Sequence, residues 1–102
     1  MTPSFVPERF ERVMGCTGQE LVAQLPGALP NAALTFDKDG LSCTAVDSEG
    51  LLRLDWKPLE PTRLGLLVIP RLSVCFQYGG LTDDRRYAMQ KRFDLGTHRG
   101  GG

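Results

Sequence analysis

Apolar and polar positions change rhythm along this chain, and each change marks an element. The longest apolar run is Arg63 to Tyr78, RLGLLVIPRLSVCFQY. In its first half Leu64, Leu66 and Val68 alternate with Gly65, Leu67 and Ile69. Both faces are then apolar, the pattern of a strand covered on two sides. In its second half Leu72, Val74, Phe76 and Tyr78 alternate with Ser73, Cys75 and Gln77, the pattern of a half-covered strand. Pro70 divides the halves; it donates no ladder hydrogen bond and belongs at a bulge, an edge or a corner. No Gly or Asn stands beside it to make a two-residue hairpin turn. The spacing therefore predicts one long strand, bent at Pro70, at the centre of an antiparallel sheet.

Upstream, Pro3 and Pro7 mark residues 1–7 as an arm. Glu8 to Met14 fits a helix face or a strand, and we read it as the first strand. Thr17-Gly-Gln-Glu20 has capping-box spacing, with a short helix over about Gly18 to Leu25 ended by Pro26 and Gly27. Leu21, Val22 and Leu25 form its buried face. Ala33 to Phe36, Leu41 to Val46 and Leu51 to Trp56 read as strands. The turns Asp37-Lys-Asp-Gly40 and Asp47-Ser-Glu-Gly50 join them into a meander. Lys57 to Thr62 holds Pro58 and Pro61 and reads as a stiff loop.

Gly79-Gly80 ends the sheet, and Thr82 caps a second helix from Asp83 to about Leu95, with Gly96 as its stop. Met89 and Phe93 share one face of that helix. Arg85 and Arg92 fall between the apolar groups, so no clean apolar stripe emerges. The expectation is one α+β domain over residues 1–102, with a tail from residue 97 to 102. An antiparallel sheet of four to five strands carries the short N-terminal helix and the longer C-terminal helix on one face. The expected core is Leu21, Leu25, Phe36, Leu52, Leu54, Trp56, Leu66, Val68, Leu72, Val74, Phe76, Met89 and Phe93.

The formal net charge is zero, so bulk charge points to neither nucleic acid nor membrane. Residues 1–50 carry −4 and residues 51–102 carry +4, which predicts attraction between the halves within one fold. Three widely spaced cysteines, Cys16, Cys43 and Cys75, do not make a disulfide scaffold. The N-terminus is charged where a signal peptide is apolar, and no run of 18 apolar residues occurs. The reading is a cytoplasmic protein with no membrane partner.

The stretch Arg92 to Gly102, RFDLGTHRGGG, together with Pro70-Arg71-Leu72, resembles a group of small uncharacterised bacterial proteins. They are of about this length and end in Phe-Asp-Leu-x-Thr-x-Arg-Gly-Gly-Gly. This chain departs from them at Gly96, where a bulkier residue is expected. The group brings no activity, so the resemblance implies only a compact domain whose tail belongs to the fold.

Candidate chemistry is sparse. His98 is the only histidine and sits among glycines near the chain end, a poor place for a preorganised nucleophile pair. With Cys16, Cys43 and Cys75 it lacks the close ligand pairs of a structural zinc site. Asp37/Asp39 and Asp47/Glu49 are carboxylate pairs by spacing, but each lies in a Gly-ended turn where Asp is a turn former. Tyr78-Gly79-Gly80-Leu81-Thr82 runs from strand to helix without the lysine of a phosphate loop. Arg85, Arg86, Lys91, Arg92 and Arg99, with Tyr87 and Phe93, could suit nucleic acid, but the helical wheel scatters them and three aspartates dilute them. The Arg-Gly-Gly ending lacks the extended arm of a ubiquitin-like modifier.

No catalytic, metal or cofactor residue is therefore assigned, and the chain is read as not an enzyme. A protein-interaction or assembly module, in the form of a homo-oligomer or with a protein partner, is expected. The alternatives are a carrier of a small acidic or apolar ligand clamped by Arg85, Arg92 and Arg99, and nucleic-acid binding through the C-terminal helix.

Overall fold

The computed structural model describes residues 5–97. The strands are β1 (Arg9–Met14), β2 (Ala33–Phe36), β3 (Ser42–Val46), β4 (Leu51–Leu64) and β5 (Leu67–Gly79). The helices are α1 (Gly18–Ala28) and α2 (Asp83–Thr97). The five strands form one antiparallel sheet in the order β1-β5-β4-β3-β2. The α+β architecture, the first strand and the meander stand as the sequence predicts.

Alternation decides which face is covered. Phe10 and Met14 of β1, Leu72, Val74, Phe76 and Tyr78 of β5, Leu52, Leu54 and Trp56 of β4, and Cys43 and Ala45 of β3 share one face by register. Leu21, Leu25 and Ala28 of α1 and Met89 and Phe93 of α2 belong to the same buried cluster. Phe10 stacks on Phe76 at 4.6 Å, and Phe93 meets Phe76 edge-on at 5.2 Å. Rings from β1, β5 and α2 thus lock three elements together. The opposite face carries Arg9, Glu11, Arg53, Asp55, Lys57, Thr44 and Gln77, and its polarity suits water.

The expected bend at Pro70 is not the turn. The chain reverses at Gly65-Leu66, between the paired residues Leu64 and Leu67. Gly65 has φ 60°, so it supplies the positive φ that a two-residue hairpin needs at its first central position. Leu64 to Ile69 is therefore a hairpin tip and not the sheet centre. Lys57 to Thr62, expected as a loop, is strand. Its prolines are tolerated for a geometric reason. The Trp56 N–H donates to the Leu41 carbonyl at 2.9 Å, so even-numbered residues of β4 aim their N–H groups at the β3 side. Pro58 stands at the next such position, beyond the last β3 partner, where a donor would face open solvent. The Tyr78 N–H donates to the Glu8 carbonyl at 2.7 Å, which aims even-numbered β5 positions at the β1 side. Pro70 lies past the last β1 partner on that side. Both prolines thus remove donors only from free edges. Pro70 also faces a β-bulge, because Glu60 and Pro61 stand against it between the pairs Leu59–Arg71 and Thr62–Ile69.

Three residues of the expected core are exposed: Phe36, Leu66 and Val68. Phe36 is on the outermost strand, and Leu66 and Val68 are on the hairpin tip past the sheet's other strands. The other ten are buried. Of the arm expected over residues 1–7, Val6 is buried in the core. Pro26 does not stop α1, which loses one donor there and closes with the Leu29 N–H on the Leu25 carbonyl at 2.9 Å. The capping box at Thr17 and Glu20 is present.

Gly96 is inside α2 and is not its cap. A Cβ there would lie 2.4 Å from the Cα and 2.6 Å from the Cβ of Ala28. Glycine at this position lets α1 and α2 approach backbone to backbone, which is also why no bulkier residue stands there. An Ala in place of Gly within an exposed helix would add ~1 kcal/mol of helix stability. Here Gly96→Ala is expected to lower stability by ~1–3 kcal/mol through overpacking, read as a fall in the urea midpoint at unchanged m-value.

Candidate functional site

The unusual surface of this molecule is the outer half of the β4–β5 hairpin. β3 covers β4 only to Asp55, and β1 covers β5 only to Leu72. Beyond them Lys57–Leu64 and Leu67–Arg71 form a two-stranded ribbon with no further strand paired to it, roughly 20 Å long at the usual rise per residue. Its end carries Leu64 (57% exposed), Leu66 (103%), Leu67 (64%), Val68 (54%) and Ile69 (37%). A glycine turn, proline-blunted edges and large apolar side chains on both faces thus occur in one short segment. Such a patch of adjoining apolar residues differs from scattered surface leucines, which need no explanation. The sequence marked these residues as apolar on both faces but placed them under cover.

The arginines proposed as a ligand clamp occupy another place. Arg85 and Arg92, from one side of α2, line a groove of about 330 Å³ with Leu29, Asn31, Ser48 and Met89. The structure thus brings the two together in one groove. Arg85 is ion-paired with Glu49, and Asp47 and Glu49 also line the groove, so the charges balance. Arg92 is exposed and has no ion-pair partner among the described residues. Arg99 and His98 lie outside the described residues, as does the rest of the tail.

Arg86, counted from the sequence only among the scattered basic residues, is a structural residue of α2. Arg86 is 7% exposed. Its Nε–H donates to the Val6 carbonyl and an Nη1–H to the Leu81 carbonyl, each at 2.8 Å, and Nη2 engages Asp83. Gln90 is buried one turn on, where the Tyr78 hydroxyl donates to its Oε1 at 2.6 Å. The Gln90 amide donates in turn to Asp94 at 3.0 Å, and Asp94 accepts from Arg12 at 2.5 Å. Burial, and after it the charge of Asp94, pushes the Tyr78 phenol up from its ordinary value. Arg86, Met89, Gln90, Phe93 and Thr97 are thus the stripe that α2 buries. Two of its members are long polar residues with partners, which hid it from an apolar pattern. The signal available was spacing: Arg86 stands three before Met89 and seven before Phe93.

The carboxylate pairs are turn devices. Asp39 accepts from the Leu41 N–H at 2.8 Å, and Asp47 accepts from the Glu49 and Gly50 N–H groups at 2.8 and 3.1 Å. Asp37 joins Ser42 and Arg53 on the polar sheet face. The expected attraction between the halves is present in Asp37–Arg53 and Glu49–Arg85, while Arg12–Asp94 runs the other way. Cys16, Cys43 and Cys75 form no disulfide, and among the described residues no group of three or more His, Cys, Asp or Glu could hold a metal ion. Of the basic set considered for nucleic acid, Arg86 is buried and Arg85 is paired, leaving Lys91 and Arg92 exposed on α2. Among the described residues no helix is long and apolar enough to cross a membrane. No family model matches the chain, and no curated protein matches it.

Two mutational contrasts test these roles. Arg86→Met should cost ~2–4 kcal/mol, because it leaves two buried carbonyls without donors, whereas Arg85→Ala should change stability by less than ~1 kcal/mol. Equal losses from both in urea titrations would refute the assignment. The Ser42 hydroxyl first, and Arg53 next, hold the Asp37 carboxyl below its ordinary value of 3.8. A lowered folded pKa contributes stability that is present above pH 3.8 and is lost as pH falls through the folded value. Asp37→Asn should therefore flatten the acid limb of the stability profile below that pH, measured by denaturant midpoints across a pH series.

Proposed function

We propose that this chain is a non-catalytic docking module whose contact surface is the projecting β4–β5 ribbon. The observation that supports it is the exposure of five large apolar side chains, Leu64, Leu66, Leu67, Val68 and Ile69, beyond the reach of the sheet's other strands and helices. Apolar side chains held in water forgo ~25 cal/mol for each Å² left uncovered. Nothing in the fold needs them there, since the core closes at Leu72 and Trp56. A partner that covers them recovers that free energy. The edges argue for the mode of contact. Pro58 and Pro70 remove donors from both free edges, which disfavours strand addition and leaves the ribbon's faces as the docking surface.

The arginine groove supports the ligand-carrier reading less well, because Asp47 and Glu49 line it beside Arg85 and Arg92. Two exposed basic residues on α2 fall short of the several phosphate contacts that nucleic-acid binding uses.

The test separates a docking surface from a structural one. A variant carrying Leu66→Ser, Leu67→Ser and Val68→Ser should keep its stability within about 1 kcal/mol, since none of the three is buried. In the full chain, Leu66→p-benzoylphenylalanine should give discrete photo-adducts in lysate of the producing cell. Excess unlabelled wild-type chain should compete them away, and the triple-serine chain should not. Loss of folding in the triple variant, or adducts indifferent to the competitor, would remove this reading.

A further inference from the structure

We propose that the groove between α2 and the turn joining β3 to β4 binds a small zwitterion with an apolar side chain, of the class of the free apolar α-amino acids. The site shares no residue with the ribbon and does not depend on it. Three segments build it. Arg85 and Arg92 line it from α2, Asp47 and Glu49 line it from the turn, and Asn31 lines it from the segment between α1 and β2. The ion pair of Arg85 with Glu49 spans α2 and the turn, so basic and acidic residues face each other across the groove. The buried residues Leu29, Leu81 and Met89 give it an apolar floor. Its volume of about 330 Å³ is at the small end of the range for pockets that hold small molecules.

The charges select the ligand. They sum to zero, but not all of them are spent. Arg85 and Glu49 neutralise each other. Arg92 stands seven residues further along α2, ~10 Å at the usual helical rise, and has no ion-pair partner among the described residues. Asp47 accepts the Glu49 and Gly50 N–H groups on Oδ1 alone, which leaves Oδ2 for another donor. One cation and one carboxylate oxygen therefore remain. A simple organic anion on Arg92 would lie in the same small groove as two carboxylates, and a simple amine on Asp47 would lie beside two guanidinium groups. A zwitterion sets its carboxylate on the planar guanidinium of Arg92 and its ammonium on Asp47, so neither of its charges is opposed. Its side chain then covers the floor of Leu29 and Met89. The balance of charge that counts against an acid clamp thus favours a ligand that carries both signs. Lys91, next to Arg92 in sequence, is outside the groove.

The experiment is an amide NMR titration of the full chain with leucine, methionine and phenylalanine at millimolar concentration. Each is compared with the acid and the amine that lack its other charge, isocaproate and isoamylamine in the case of leucine. Saturable shifts at residues 29–32, 47–49 and 85–92 are expected with at least one of the three amino acids. Its two singly charged analogues should bind at least ~10-fold more weakly. Arg92→Met and Asp47→Asn should each raise Kd at least ~10-fold. Asn at position 47 keeps the Oδ1 acceptor that the turn uses. Lys91→Met should leave Kd within about twofold. Arg92 and Lys91 are both exposed, and the spectrum of each variant checks its fold. The chain with serine at positions 66, 67 and 68 should bind as wild type does, which keeps this test apart from that of the ribbon. No saturable shift with any of the three amino acids, an analogue that binds as tightly as its parent, or equal loss from Lys91→Met and Arg92→Met would each overturn the zwitterion site.

Discussion

Everything in this fold hangs on the antiparallel ladder between β4 and β5, which runs from the pair Leu51–Gly79 to the pair Leu64–Leu67. Its inner half is the middle of the sheet. There β1 and β3 satisfy its outer hydrogen bonds and both helices cover one face. Its outer half has the same pairing but no flanking strands. One continuous pair of strands therefore passes from a dry environment to a wet one without a break in the backbone. The core depends on the inner half for its layer of Leu52, Leu54, Trp56, Leu72, Val74 and Phe76, and the candidate surface depends on the outer half for its reach.

Backbone chemistry controls that passage. Gly65 permits the reversal, Pro58 and Pro70 each remove a donor from a free edge, and the Glu60-Pro61 bulge resets which side chains share a face. Each is a local device whose meaning comes from its neighbours. A proline on an outward N–H position costs the ladder nothing, while the same residue one position away would break a hydrogen bond.

The polar interior of α2 follows the same logic. Arg86 and Gln90 are buried because carbonyls, a phenol and carboxylates meet them. A buried guanidinium with satisfied donors ties the segment at Val6 to the start of α2, so it organises the chain end instead of offering a charge to solvent. Arg85, next to it in sequence, faces out and pairs with Glu49. Adjacent arginines thus do opposite work because one helical step separates inside from outside.

The amino-acid order by itself determined the element types, the meander, the capping box at Thr17 and most of the core, because two- and 3.6-residue periods and turn residues act locally. It also flagged Leu64 to Ile69 as apolar on both faces. Tertiary structure alone decided that this stretch projects, because cover depends on where β1, β3 and the helices end in space. It decided too that Gly96 is a crossing point against Ala28 and that Arg86 lies inside, because both follow from what packs opposite. Periodicity reports which side chains share a face; only the assembled layers determine whether that face is covered.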